Sequence, residues 1–195
     1  MNNWVEPLGL DCIEAYRIGL MGSMFFVGVS LMTLYISRSA DIYGRKWPTR
    51  LTSMFSVPFQ VGLFLSKNIN LTTVIFFFSG CCSPGKVNVS FVYVCELVPV
   101  KYRTYIGTMV LFADAGIVTL LAVYFRFVSK QWEYFMLVGM GFNVISQIAL
   151  FFIPESPKWL HSTKKFDEAR KQLVYIARFN GVASMPMFKF IEENN

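Results

Sequence analysis

Charged residues are scarce in this chain, and several of them stand where a long apolar run ends. Asp41 and Arg45 follow the first run, Glu96 and Arg103 follow the third, and Glu155 follows the last. Carboxylates and guanidinium groups that meet at the ends of neighbouring helices form ion pairs, which are strengthened when water is partly excluded. The pattern predicts an ion-pair cluster at one end of a helical bundle.

Two further charges lie inside apolar runs. Lys86 precedes Glu96 by ten residues, and Asp114 follows Arg103 by eleven. At 1.5 Å per helical residue both stand about 15 Å from the same end of the bundle, near the middle of a bilayer core of about 30 Å. Each isolated charge there costs about 2.5–3.5 kcal/mol, so we expect the two to pair. The pair is either purely structural or also lines a solute path, and snorkelling of one or both charges is a third possibility.

The helical positions around Lys86 differ from those around Asp114. Steps of three, four and seven from Lys86 reach a set of small or polar residues, namely Ser79, Cys82, Ser83, Ser90 and Tyr93. The same steps from Asp114 reach mostly apolar residues. The residues predicted to lie along a substrate path are therefore Lys86, Ser83, Ser90, Tyr93 and Asp114.

The composition indicates a membrane protein. Hydrophobic residues make up 54% of the 195 residues and charged residues only 15%, whereas soluble domains carry about 25% charged residues. The four cysteines suggest neither a disulfide framework nor a metal site, and His161 is the one histidine. The sequence has no Gly-rich phosphate loop and no Ser/His/Asp arrangement. We therefore predict no enzymatic activity, no cofactor, no metal and no nucleic-acid partner.

Five runs approach the length needed to cross a bilayer, which requires about 20 apolar residues in a helix. A soluble protein with so many apolar runs would have too little polar surface, so we predict an all-α membrane protein. The predicted spans are residues 18–37, 51–66, 71–95, 105–125 and 134–153.

The distribution of basic residues predicts the orientation. Thirteen Lys and Arg residues lie in 38–50, 96–104 and the segment after 153, against four on the opposite side of the predicted bundle. Cytoplasmic loops carry the excess of basic residues. We therefore predict an extracellular segment at residues 1–17, a transmembrane bundle at 18–153 and a cytoplasmic segment at 154–195, with the N-terminus outside and the plasma membrane as the location.

Three motifs give the chain a resemblance to a known superfamily. They are Asp41-Ile42-Tyr43-Gly44-Arg45-Lys46, Glu96-Leu97-Val98-Pro99-Val100-Lys101-Tyr102-Arg103 and Pro154-Glu155-Ser156-Pro157-Lys158-Trp159-Leu160. In this order, at the same end of alternate spans, they resemble the N-terminal half of a major facilitator superfamily transporter. The stretches Leu10-Asp11-Cys12 and Ala177-Arg178-Phe179-Asn180-Gly181 are similar to the organic cation/anion branch, and the third motif is shared with sugar porters.

The resemblance implies a fold and a role for the motif charges. The fold is a partial N-terminal six-helix bundle that lacks the first helix, so the chain resembles a truncated half-transporter. The implied cytoplasmic gating residues are Asp41, Gly44, Arg45, Glu96, Arg103 and Glu155, which would hold the helix ends together in one state and release them in another. Gly44 would allow the tight turn between two antiparallel helices. The alternative is that these are ordinary solvated loop charges.

After Leu160 the spacing of apolar residues changes. From Lys164 to Phe179 they recur at helical intervals among charged residues, which predicts an amphipathic helix along the membrane surface. A calmodulin-type target is the alternative, although acidic residues interrupt its basic character.

Together these features predict transmembrane transport of a small solute, an organic ion by resemblance, through alternating access. The implied partners are the lipid bilayer, the solute, and either the missing first helix and C-terminal half or another chain that covers the open face of the bundle. The alternative is a non-transporting membrane protein or inactive fragment that serves as a partner subunit.

Overall fold

The computed structural model describes residues 13–181, and this part of the chain is helical, without strands. The helices are α1 (Ala15–Tyr43), α2 (Lys46–Leu65), α3 (Ile69–Pro84), α4 (Ser90–Leu97), α5 (Val100–Val123), α6 (Trp132–Phe152), α7 (Pro157–Ser162) and α8 (Phe166–Phe179). A π-helical turn, Gly85–Val89, joins α3 to α4, and a second one, Tyr124–Val128, extends α5.

Helices occupy all five predicted span positions, which confirms the all-α class. Three of them are long and apolar enough to cross a membrane: Ala15–Tyr43, Val100–Val128 and Trp132–Phe152. Helix α2 contains Pro58 and buries mainly small polar residues, and the third predicted span is divided by the π turn after Pro84. The count of five spans therefore stays a prediction.

Helices α1 and α3 cross with their backbones in contact. A Cβ atom at Gly28 would overlap the carbonyl oxygen of Phe77, and one at Gly80 would overlap the carbonyl oxygen of Phe25. Small residues permit this kind of approach between membrane helices, where dispersion contacts replace the hydrophobic driving force. The α1–α3 crossing is therefore fixed by two glycines on facing helices.

The π turn packs against α2. Gly85 lies so close to Thr52 that a Cβ atom would overlap the threonine side chain. Pro84 supplies no backbone N–H, which releases carbonyl groups from the regular ladder, and Ser90 donates its hydroxyl to the carbonyl oxygen of Gly85 at 3.1 Å. The turn therefore brings the residues after Gly85 into contact with α2.

The helices after α4 are packed less closely. Among the described residues, α5 and α6 contain none that is buried, and α6 contacts α2. The predicted amphipathic segment forms a helix, α8, which packs on α7 through Trp159, Leu160 and Ala169, and its location along the membrane surface stays a prediction. Residues 1–12 of the predicted extracellular segment 1–17 and residues 182–195 of the predicted cytoplasmic segment 154–195 lie outside the described residues, and the domain division stays a prediction.

Candidate functional site

Glu155 is the acceptor around which one end of the bundle is organised. Its Oε1 atom accepts the backbone N–H groups of Arg45 and Lys46, each at 3.1 Å, and that of Ser156 at 2.9 Å. The first N–H groups of a helix have no partner within the helix, and the positive end of the helix dipole favours an anion. Glu155, from the segment between α6 and α7, therefore caps the N-terminus of α2.

Gly44 makes room for this carboxylate. Its φ angle of +100° lies in the region that favours glycine, and a Cβ atom at this position would lie 2.6 Å from Oε2 of Glu155. Both the backbone conformation and the available space therefore require glycine in the turn between α1 and α2.

The Arg45 side chain connects two carboxylates. It pairs with Asp41 one turn earlier on α1, and its Nε atom lies 3.4 Å from Oε2 of Glu96 on α4. The Arg45 and Glu96 side chains are 17% and 10% exposed, whereas Asp41 is 66% exposed. Because water screens exposed pairs strongly, the Arg45–Glu96 pair is the stronger link between helices.

Two residues that follow Glu155 complete the arrangement. Ser156 donates its hydroxyl to Oε2 of Glu96 at 2.7 Å and accepts the backbone N–H of Trp159 at 3.2 Å, so it also caps α7. The indole Nε1–H of Trp159 donates to the carbonyl oxygen of Asp41 at 2.8 Å. We call Asp41, Arg45, Glu96, Glu155, Ser156 and Trp159 the motif cluster.

The pKa values of Arg45 and the adjacent Lys46 shift in opposite directions. Burial lowers the pKa of the Arg45 guanidinium, but its hydrogen bond to Asp41 and the charge of Glu96 outweigh burial, and the net shift is upward. Burial and the nearby Arg50 charge lower the pKa of Lys46, which Glu155 offsets only in part. Arg45 is therefore held firmly in its charged form, as an ion pair requires.

The carbonyl groups at the end of α6 are satisfied by side chains from three other elements. Arg50 of α2 donates to the carbonyl oxygens of Leu150 at 3.2 Å and Phe151 at 3.1 Å, with its guanidinium 4.6 Å from the Phe151 ring centre.

Two tyrosines continue this capping. Tyr175 of α8 donates to the carbonyl oxygen of Phe152 at 3.2 Å, and Tyr93 of α4 donates to that of Pro154. The carbonyl groups at the end of a helix have no intrahelical partner, so these contacts attach α6 to α2, α4 and α8.

Most of the motif residues predicted to meet do so. Asp41, Arg45, Glu96 and Glu155 lie together in the motif cluster, and Gly44 lies beside Glu155. Arg103 stands at the start of α5, half-buried, with its Nε atom enclosed and without a hydrogen-bond partner, and it makes no described ion pair with the cluster. The signs of the charges and their positions at the ends of apolar runs predicted the cluster. They did not predict the face of α5 on which Arg103 lies, and therefore not whether it reaches the cluster.

The sequence pattern assigns no role to three residues of this region. Ser156 and Trp159 belong to the third motif, and Arg50 contributes only to the count of basic residues near a run end. The Ser-Pro pair at 156–157 carried a usable signal, because serine is a preferred N-cap and proline is favoured at the first helical position. The contacts of Trp159 and Arg50 with distant carbonyl groups had no such signal.

The predicted Lys86–Asp114 pair is not formed in this structure. Lys86 Nζ donates to Ser56 Oγ at 3.1 Å, and none of the ion pairs among the described residues involves Asp114, which is exposed on α5. Equal depth along two helices was the basis for the pairing, but depth does not determine the direction in which each side chain points. The π turn directs Lys86 toward α2.

Two other predicted substrate-path residues, Ser90 and Tyr93, form hydrogen bonds with backbone carbonyl groups. Ser90 and Tyr93 donate to the carbonyl oxygens of Gly85 and Pro154, and Ser83 is half-buried on α3. Asn143 of α6 joins Lys86 at Ser56, with Nδ2 at 3.2 Å from Ser56 Oγ and at 2.8 Å from Oε1 of Gln60. We call Lys86, Ser56, Gln60 and Asn143 the Lys86 cluster.

Comparison with known proteins places this helical arrangement in a family. The family model described as "Sugar (and other) transporter" matches residues 7–188. The chain belongs to this family, which is part of the major facilitator superfamily. It is therefore an integral membrane protein of a transporter family, and the predicted resemblance is confirmed.

Individual relatives belong to the organic-ion branch of this family. The chain is 28% identical to rat (Rattus norvegicus) organic cation/carnitine transporter 2, over 92% of the chain and 32% of the relative. It is 24% identical to organic cation transporter 1 of Caenorhabditis elegans, over 98% of the chain and 33% of the relative. It is also 31% identical to a solute carrier family 22 member 15-like protein of Xenopus laevis, over 87% of the chain and 34% of the relative. The chain thus spans about a third of the length of these relatives.

Proposed function

We propose that these residues form part of a transporter that moves a small organic ion across a membrane by alternating access. The observation that carries the proposal is the motif cluster, in which one arginine and two shielded carboxylates connect α2, α4 and the segment before α7. Family membership supports transport as the general activity, and the names of the relatives favour an organic ion as the solute.

The motif cluster suits a contact that forms in one state and breaks in another. Its strong links are contributed by separate elements, so a rigid-body movement of α4 relative to α2 would separate Arg45 from Glu96. Partly shielded, charge-assisted contacts of this kind are worth a few kcal/mol together. That energy is small enough for solute binding to shift the balance between states.

The proposed partners follow from the exposed faces. Helix α5, the π-helical turn that extends it and helix α6 carry large apolar side chains that are exposed in this chain, including Phe112, Phe127 and Phe142. Lipid covers such side chains in a membrane, and further helices would cover those on the solute path. We propose that these helices belong either to the same polypeptide or to a second chain, and that the protein resides in the plasma membrane.

An uptake measurement tests the activity. The complete polypeptide encoded by the transcript is expressed in cells, and saturable uptake is measured for a cationic, a zwitterionic and an anionic radiolabelled solute. We expect uptake of at least one solute several-fold above that of cells that lack the protein, and strong impairment by Glu96→Gln at equal surface abundance. Saturable uptake of none of the three by abundant surface protein would support a non-transporting partner subunit instead.

Labelling of single cysteines tests the orientation. In a background without the native cysteines, Ser129→Cys lies at the proposed outer end of α5, and Ser162→Cys lies in the proposed cytoplasmic segment. A membrane-impermeant thiol reagent should label Ser129→Cys in intact cells and Ser162→Cys only after permeabilisation. Labelling of both from outside would contradict the proposed topology.

A further inference from the structure

A cavity of about 280 Å³ lies where α2, α6 and α8 meet. Three polar and three apolar residues of the described part of the chain line it: Lys46, Gln172, Tyr175, Phe151, Phe152 and Pro154. Helix α6 is long and apolar enough to cross a membrane, and Phe151 and Phe152 at its end are largely exposed. The cavity therefore lies at a membrane boundary, where lipid headgroups meet acyl chains.

Lys46 brings a positive charge without an ion pair to this cavity. Its backbone N–H donates to Glu155, but its ammonium forms no hydrogen bond or ion pair with the described residues. Burial and the charge of Arg50 lower the pKa of Lys46, and Glu155, which already accepts three backbone N–H groups, offsets this only in part. A further anion in the cavity would stabilise the charged form of Lys46.

Other cations border the cavity. The guanidinium of Arg50 caps the end of α6 and lies 4.6 Å from the centre of the Phe151 ring. Lys171 and Arg178 lie one turn before and one turn after Tyr175 on the same face of α8, and both are exposed. Helices α2 and α8 therefore both present positive charge at this boundary.

The carboxylates on α8 do not cancel this charge. Asp167 pairs with Arg170 at 2.9 Å, and Glu168 is exposed one turn before Gln172. With Glu155 included, the cations around the cavity still outnumber the carboxylates that could neutralise them. An excess of positive charge at a membrane boundary attracts anionic lipids.

The lining of the cavity suits an amphipathic anion. The ammonium of Lys46 and the amide of Gln172 are donors of the kind that bind phosphate oxygens. Tyr175 donates its hydroxyl hydrogen to the carbonyl oxygen of Phe152 at 3.2 Å, so it holds the wall of the cavity in place. A soluble phosphate compound would gain nothing from the apolar side of the cavity, whereas acyl chains would contact Phe151 and Phe152.

We propose that this cavity binds the headgroup of an anionic phospholipid from the leaflet at the motif end of the bundle, which is the cytoplasmic leaflet in the proposed orientation. The phosphate accepts from Lys46 and Gln172, and Lys171 and Arg178 attract it electrostatically. The bound lipid connects α2 with α8. This inference goes beyond the proposed function, because it holds whichever solute is transported.

Binding of two phospholipids tests the site. The complete polypeptide is purified in detergent, and native mass spectrometry counts the lipids that it retains as phosphatidylglycerol or phosphatidylcholine is added. The two lipids share their acyl chains, but only phosphatidylglycerol has a net negative charge, so we expect the protein to bind it more tightly. A lysine beside an anionic lipid contributes about fivefold in affinity, so Lys46→Met should weaken phosphatidylglycerol binding about fivefold. Lys46→Arg should retain it.

Two matched controls separate this cavity from general attraction of lipid to a basic surface. Lys158→Met removes an exposed lysine from α7, and Lys67→Met removes one from the connection between α2 and α3. Neither residue lines the cavity, so both variants should bind phosphatidylglycerol as the unchanged protein does. Equal affinity for the two phospholipids, or equal weakening by Lys46→Met and Lys158→Met, would overturn the proposal.

Two further measurements complete the test. Lys171→Met combined with Arg178→Met changes only exposed side chains, so folding near the motif cluster is preserved, and we expect weaker phosphatidylglycerol binding. Unchanged affinity in this double variant would overturn the proposal. Displacement of phosphatidylglycerol by millimolar inorganic phosphate would also overturn it, because the occupant would then be a soluble phosphate compound.

Discussion

The two halves of the described bundle are held together in different ways. Helices α1 to α4 contact one another through glycine backbones, small polar side chains and the motif cluster, whereas α5 has no buried residue and lies at the margin of the packed region. The first half therefore depends on specific contacts that a single substitution can remove. Helix α5 depends on apolar faces whose partners are lipid or further helices, so single substitutions in α5 should have small effects on stability.

The largest effect is expected at the α1–α3 crossing. Gly80→Ala would place a methyl group against the backbone carbonyl group of Phe25. Neither the methyl group nor this carbonyl group can rotate away as a flexible side chain can, so the two helices must separate. We expect a loss of about 3 kcal/mol in the free energy of unfolding, at the upper end of the usual cost of overpacking.

The matched control for this substitution lies in α5. Nothing lies within 4 Å of a Cβ atom at Gly116, so Gly116→Ala should be neutral or stabilise by about 0.5–1 kcal/mol through helix propensity. Unfolding in denaturant, monitored by tryptophan fluorescence in detergent, measures both. Equal destabilisation by the two substitutions would remove the distinction between the halves.

The next largest effect is expected at Glu155. Glu155→Ala removes the acceptor of three backbone N–H groups at the N-terminus of α2 and before α7, so we expect a loss of about 2–3 kcal/mol. Glu155→Gln keeps an acceptor oxygen and should lose about 1 kcal/mol. Glu133→Gln, in the first turn of α6, is the control and should change stability by less than about 0.5 kcal/mol. Similar losses for Glu155→Gln and Glu155→Ala would show that the charge, rather than the acceptor geometry, matters.

A smaller effect distinguishes the two carboxylates that Arg45 contacts. In double-mutant cycles we expect a coupling energy of about 1 kcal/mol between Arg45 and Glu96, and of less than about 0.5 kcal/mol between Arg45 and the exposed Asp41. The cycles use Arg45→Met with Glu96→Gln and with Asp41→Asn, measured by the same unfolding assay. A larger coupling for Asp41 would mean that burial does not determine the strength of these pairs.

The sequence predicted contacts correctly where the position of a residue along its helix was enough to bring it close to its partner. Asp41, Glu96 and Glu155 each stand at a helix end on the same side, so their meeting followed from the alternation of spans. Lys86 was different, because its partner depends on rotation about the helix axis, and the π turn after Pro84 changes that rotation in a way that regular helical periodicity does not include.

A second limit arises where side chains bind distant carbonyl groups. The contact of Arg50 with the end of α6 spans about a hundred residues and involves backbone acceptors that every residue carries. Nothing in the residue types of positions 150 and 151 marks them as partners. Tertiary packing determines this contact, and the sequence pattern predicted only that Arg50 stands near a membrane boundary.

The smallest stability effect is expected at Arg103, which stands where the closely packed half meets α5. Its buried Nε atom has no hydrogen-bond partner, and an unpaired buried donor costs free energy, so Arg103→Met should leave stability unchanged or raise it by up to about 1 kcal/mol. The motif position of Arg103 nevertheless predicts a gating role, which a partner formed only in another conformational state would explain. We therefore expect Arg103→Met to reduce solute uptake at normal surface abundance, whereas Lys101→Met, two residues earlier and exposed, should not. A marked loss of stability in Arg103→Met would show that the residue has a partner in the resting structure, and unchanged uptake would assign it to the solvated loop charges.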